Sequence, residues 1–126
     1  MGADISVLWN RLHAAAPEFP PQAFMFVQEG LRHTCERLHG SEGTNARHVS
    51  GTELCLGLRD YAVRQYGPLA KTVLHTWKIR RTEDFGRIVF AMVEAQLLRK
   101  TDEDSMEDFE NVYDFDEVFT PQAEAV

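Results

Sequence analysis

At 126 residues the chain fits one compact domain, and a 44% apolar composition with eight Phe and two Trp supplies a core, which excludes a wholly disordered protein. The net charge of −7 is unevenly placed: the first hundred residues carry thirteen Lys and Arg against ten acids, whereas Thr101 to Val126 carries ten acids and no Lys or Arg. Cys35 and Cys55 are too few for a disulfide framework, and no window has the length of an apolar membrane span or the pattern of a signal peptide, so a cytoplasmic protein with reduced thiols is expected.

Val7, Leu8, Leu12 and Ala15 predict a short first helix ending near Pro17. Pro20 and Pro21 open a second, in which Phe24, Val27, Leu31, Cys35 and Leu38 recur at helical steps and are expected to face the core. His39 to Arg47, rich in Gly and Ser, reads as a surface loop. Ser50 and Glu53 have capping-box spacing ahead of a helix with Leu54, Leu58, Tyr61, Ala62 and Tyr66 on its buried face. Gly67-Pro68 stops that helix and restarts the chain into Leu69 to Trp77. Lys78 to Arg81 forms a basic connector, and Thr82 is the expected N-cap of the most apolar helix, built on Phe85, Ile88, Val89, Met92 and Val93. Thr101 and Asp104 repeat the capping pattern ahead of a short helix over Ser105 to Phe109. The expected class is mainly α, a single domain of about five to six helices over 1–111, followed by an acidic aromatic segment over 112–126 that is partly docked on the body.

The strings Arg47-His48-Val49-Ser50-Gly51, Tyr66-Gly67-Pro68-Leu69-Ala70, Arg81-Thr82-Glu83-Asp84-Phe85-Gly86 and Tyr113-Asp114-Phe115-Asp116-Glu117, with Lys100-Thr101 running on to Asp108-Phe109, form a specific set. Over most of Phe19 to Phe119 the chain resembles a small bacterial family of hypothetical proteins. The resemblance implies a bacterial cytoplasmic protein; it brings no activity and no site residue. In the family pattern a glycine follows Val93-Glu94-Ala95, where this chain has Gln96, which argues against a glycine helix terminus there.

No nucleophile–base pair, phosphate-binding glycine loop or dinucleotide fingerprint is present, so no catalytic residue is named and no cofactor is expected. Cys35 and His39 lie four apart, with His48 and Cys55 as further donors, but the spacing matches no zinc pattern, and no metal is expected. Lys71, Lys78, Arg80, Arg81, Arg87, Arg99 and Lys100 gather around Trp77 and the two helices that meet there. That grouping suggests a helix-turn-helix, or a winged-helix arrangement with a wing after Ala95; Glu83 and Asp84 at the start of the second helix oppose it, because they repel phosphates.

At the acidic end, Tyr113, Phe115 and Phe119 are expected to fold back into grooves of the body, each ring gaining about 1.5–3 kcal/mol by burial, while Asp114, Asp116 and Glu117 meet the basic connector. Disorder is expected after Pro121. The resulting expectation is a protein-interaction or regulatory module whose contact residues are Trp77, Arg80, Arg81, Tyr113, Asp114, Phe115, Asp116 and Phe119. Its partner is another protein, no membrane is involved, and a homodimer is compatible with the sequence. The alternative is a nucleic-acid-binding domain inhibited by its acidic tail, with enzyme activity third.

Overall fold

The computed structural model describes residues 5–39, 49–98 and 104–119. Among them the chain is helical, with no strand: α1 Ile5–Ala15, α2 Pro21–His39, α3 Gly51–Tyr66, α4 Ala70–Thr76, α5 Thr82–Glu94 and a single turn α6 Phe115–Val118, with 3-10 turns at Gly67–Leu69 and Met106–Phe109. This is the mainly α architecture that the periodicity predicts. Of the loop expected over His39 to Arg47, His39 is instead the last residue of α2, and 40–47 lie outside the described residues, as do the cap at Thr101 and the terminus beyond Phe119.

The long pair α2 and α3 forms the widest helix contact, and α5 packs against α1, α2 and α3. Phe85 and Ile88 on α5 are fully buried, with Met92 nearly so, and only Arg87 and Glu94 of the helix are exposed. The most apolar helix is therefore the central one, as a helix apolar on most sides must be.

The buried stripe of α2 differs from the expected one. Phe24 and Val27 are buried as expected, but Leu31 and Cys35 are only partly so and Leu38 is 48% exposed, while Ala23, Phe26, Gly30 and Thr34, outside the expected set, are buried. The cause is side chains seated against bare backbone: a Cβ on Gly30 would overlap the Leu58 side chain, and one on Gly57 would overlap that of Thr34. Thr34 is tolerated in this dry seam because its hydroxyl donates to the Gly30 carbonyl at 2.7 Å, one turn earlier.

The helix ends follow local chemistry. Ser50 caps α3 as expected: its Oγ accepts from the Glu53 amide at 3.1 Å, and Glu53 Oε1 accepts from the Ser50 amide at 3.0 Å. At α5 the N-cap is Arg81, not Thr82; Asp84 Oδ2 accepts from the Arg80 and Arg81 amides at 2.8 and 3.2 Å. Thr82 fails as a cap because its hydroxyl is committed to residues about thirty positions away, as described below.

Helices α4 and α5 end in the same way. After α4, Ile79 N–H reaches Leu74 O and Lys78 N–H reaches His75 O, each at 2.9 Å, with Lys78 at φ +70°. After α5, Leu97 N–H reaches Met92 O at 2.8 Å and Gln96 N–H reaches Val93 O at 2.9 Å, with Gln96 at φ +67°. Both are Schellman terminations, in which glycine is the usual residue at the left-handed position. Gln96 thus adopts the glycine-type helix end that its identity argues against.

Candidate functional site

Two surfaces bring the expected site residues into view: the bed on which the C-terminal strap, residues 104–119, is seated, and the corner around Trp77.

The strap opens at Ser105, whose amide donates to Asp108 Oδ2 at 3.3 Å, ahead of the turn Met106–Phe109. Phe109 then enters a slot between the first turns of α3 and α5. A Cβ on Gly51 would meet its ring at 2.9 Å and one on Gly86 at 2.8 Å, so only glycine at both positions admits the ring at this depth. Body side chains satisfy the strap backbone. Thr82 Oγ1 donates to Phe109 O at 2.6 Å and accepts from Val112 N–H at 3.1 Å; Thr52 Oγ1 donates to Asp108 O at 3.1 Å; Glu83 Oε2 accepts from Asn111 N–H at 3.1 Å.

Beyond this pin the aromatics pack inward. Phe115 and Phe119 are each 4% exposed, with ring centroids 5.1 Å apart, and Phe115 lies 5.8 Å from Phe85 of the core. Tyr113 is half-buried and its hydroxyl donates to Cys55 O at 2.7 Å. Burial pushes the Tyr113 phenol up from its usual range. Burial likewise pushes the Cys55 thiol up, from an ordinary 9.0 to about 12, with the Glu83 charge adding to it.

The acids of the strap do not meet the basic connector as expected. Asp114 caps α6, accepting from Asp116 N–H at 2.8 Å. Asp116 pairs with Lys71 on α4, and this hydrogen bond and charge hold its carboxyl below the usual range. Arg80 and Arg81 instead contribute backbone amides to Asp84, and their side chains stand exposed with no ion pair among the described residues. Phe115 and Phe119 are thus buried against the chain's own body, the fold-back arrangement expected for these rings, and leave little of their surface exposed.

Trp77 behaves differently. Half-buried, it belongs to an aromatic cluster centred on Phe26, whose ring lies 5.8 Å from Trp77, 6.4 Å from Tyr66 and 5.5 Å from Tyr61. Trp77 and Tyr66 meet edge to face at 5.9 Å. With Gln22, Met25 and Glu29 these residues line an open groove along α2, and Met25 is 63% exposed at its lip. Sequence reasoning singled out Trp77 but missed Met25 and the groove-lining role of Tyr61 and Tyr66. The available signal was Tyr66 and Trp77 bracketing the Gly67-Pro68 corner.

Among the described residues no group of His, Cys, Asp and Glu is placed to hold a metal ion, and no helix is long and apolar enough to cross a membrane. Comparison with protein-family models, with curated proteins and with solved structures yields no match for this chain.

Proposed function

We propose that the chain is a small protein-binding module of the bacterial cytoplasm, whose contact face is the Met25–Tyr61–Tyr66–Trp77 groove and whose partner is an acidic segment carrying an apolar anchor. The observation that carries this reading is the juxtaposition at one corner of half-buried aromatic surface and of exposed cations that make no ion pair among the described residues. Tyr and Trp supply large rigid contact area at low entropic cost, the usual composition of binding hot spots. Lys78, Arg80 and Arg81, all exposed, follow Trp77 directly in the chain and give the corner a positive sign that would steer acids toward it. The acidic aromatic strap then serves as part of the body that holds α3 and α5 in place, not as the recognition element.

Less supports nucleic-acid binding. In a helix-turn-helix the second helix must present a face to the groove of DNA, whereas α5 has only Arg87 and Glu94 exposed and its first turn is covered by 109–112.

Replacing Met25 by a photo-crosslinking amino acid in the cells that make the protein tests the proposal. A discrete adduct should form at an acidic, apolar-anchored stretch of another protein and disappear on Arg80→Glu/Arg81→Glu, with the circular dichroism spectrum unchanged. Absence of an adduct, or an adduct indifferent to charge reversal, would refute it.

A further inference from the structure

Away from the aromatic groove, a second concavity of about 460 Å³ opens where α2, α3 and α6 converge, lined by Arg37, Arg59, Asp60, Val63, Arg64 and Val118. We propose that this concavity is an anion site for a small-molecule phosphate monoester, with the three guanidiniums holding the phosphoryl oxygens and Val63 and Val118 receiving the organic group.

The charge balance points that way. Three guanidiniums surround one carboxylate, leaving two positive charges in one place on a chain whose net charge is −7. Like charges gathered on a folded surface are unfavourable unless something holds them, and here Asp60 does. Its Oδ2 accepts from Arg37 Nη1 at 2.6 Å and its Oδ1 from Arg59 Nε at 3.2 Å, so one carboxylate links a side chain of α2 to one of α3. Burial raises the Asp60 carboxyl, but the hydrogen bonds from Arg37 and Arg59 and their charges outweigh it and keep the group ionised below its usual range.

The arrangement leaves donors to spare. A guanidinium carries five N–H groups in a planar fork, and Asp60 engages one nitrogen of each, so among the described residues Arg37 Nη2 and Nε and both Arg59 Nη groups remain for a ligand. Arg64, one turn beyond Asp60 on α3, makes no ion pair among the described residues. Planar forks match the paired oxygens of a phosphoryl group, and a residual charge of two matches the near-dianion that a phosphate monoester becomes around neutral pH. Val63 is 46% exposed beside them, and Val118 comes from α6, so the wall is complete only with the strap seated.

Titration of the intact protein with phenyl phosphate, inorganic phosphate and benzenesulfonate, followed by arginine side-chain and backbone amide NMR, tests the assignment. Phenyl phosphate should give saturable shifts at Arg37, Arg59 and Arg64 with a Kd at or below about 1 mM, a weak-ligand range that exposed charge-assisted hydrogen bonds can reach. Inorganic phosphate should bind several-fold more weakly for want of the valine contact, and the monoanionic sulfonate about tenfold more weakly. Arg64→Gln, at an exposed position without an ion pair among the described residues, should leave the rest of the spectrum unchanged and weaken phenyl phosphate by about tenfold. Shifts that do not saturate, equal affinity for the three anions, or full affinity in Arg64→Gln would each overturn the proposal.

Discussion

Where α2 meets α3, Gly30 receives Leu58 and Gly57 receives Thr34; where the strap meets the body, Gly51 and Gly86 receive the ring of Phe109. Both contacts are made by omitting a side chain, yet they differ in polar content. The seam between helices needs only shape, because each helix satisfies its own backbone and the one buried hydroxyl turns back to Gly30 O. The strap has only two single helical turns, and Thr52, Thr82 and Glu83 of the body supply partners for peptide groups within 108–112. A helix pair can therefore be held by packing alone, whereas a docked segment with little regular structure needs packing and side-chain hydrogen bonds together.

The strongest way to break this comparison is Phe109→Ala. Emptying the slot should cost about 3–5 kcal/mol, as for other buried phenylalanines. Hydrogen exchange should then accelerate across 104–119 and at the first turns of α3 and α5 that the strap holds, while amides along the α2–α3 seam stay protected, since the contacts of Gly30 and Gly57 are made without the strap. Equal loss of protection in both regions would merge them into one unit. Gly57→Ala attacks the other side. Its methyl would overlap Thr34, and overpacking of about 3 kcal/mol should lower the denaturation midpoint of the whole chain. Adding Thr34→Ala should restore part of the loss, a coupling that a double-mutant cycle measures.

A milder separation comes from alkali, because Cys55 of α3 and Tyr113 of the strap are linked by one hydrogen bond and both titrate high. A thiol whose folded value is raised stabilises the fold fully below its unfolded value; that contribution is lost as pH rises from 9.0 toward about 12. Cys55 alone should remove about 1 kcal/mol by pH 10, with Tyr113 adding to the loss at higher pH, and Cys55→Ala should flatten the early part of the profile. The smallest effect belongs to a position outside both contacts. Gln96→Gly should raise stability by about 0.5–1 kcal/mol by relieving a left-handed backbone, and a thermal midpoint that falls instead would show that the Gln96 side chain contributes more than its strain costs.

Helices were legible because apolar residues recur at helical steps, and Ser50 was legible because a capping box is a local device spanning four residues. The α2–α3 seam was hidden for the converse reason. Gly30, Thr34 and Gly57 score as non-core residues in any count of hydrophobics, and only their fit to each other buries them. Thr82 was misread because a threonine ahead of an apolar run matches a cap, while its actual bonds reach Phe109 and Val112, a separation that no local pattern encodes. Trp77 was visible as an aromatic among cations. Its groove was not, since Met25 and Tyr61 come from elements distant in sequence. Arg37 joins Arg59 and Arg64 only through the pairing of two helices.

The slot for Phe109 also has a bearing on biosynthesis. Gly51 and Gly86, its two walls, leave the ribosome before the ring that fills them, so during synthesis there is an interval in which both glycine positions are out and the ring that covers them is not. Translation that stalls within that interval leaves a chain without that ring and the hydroxyl of Thr82 without its distant partners, a form suited to capture by chaperones.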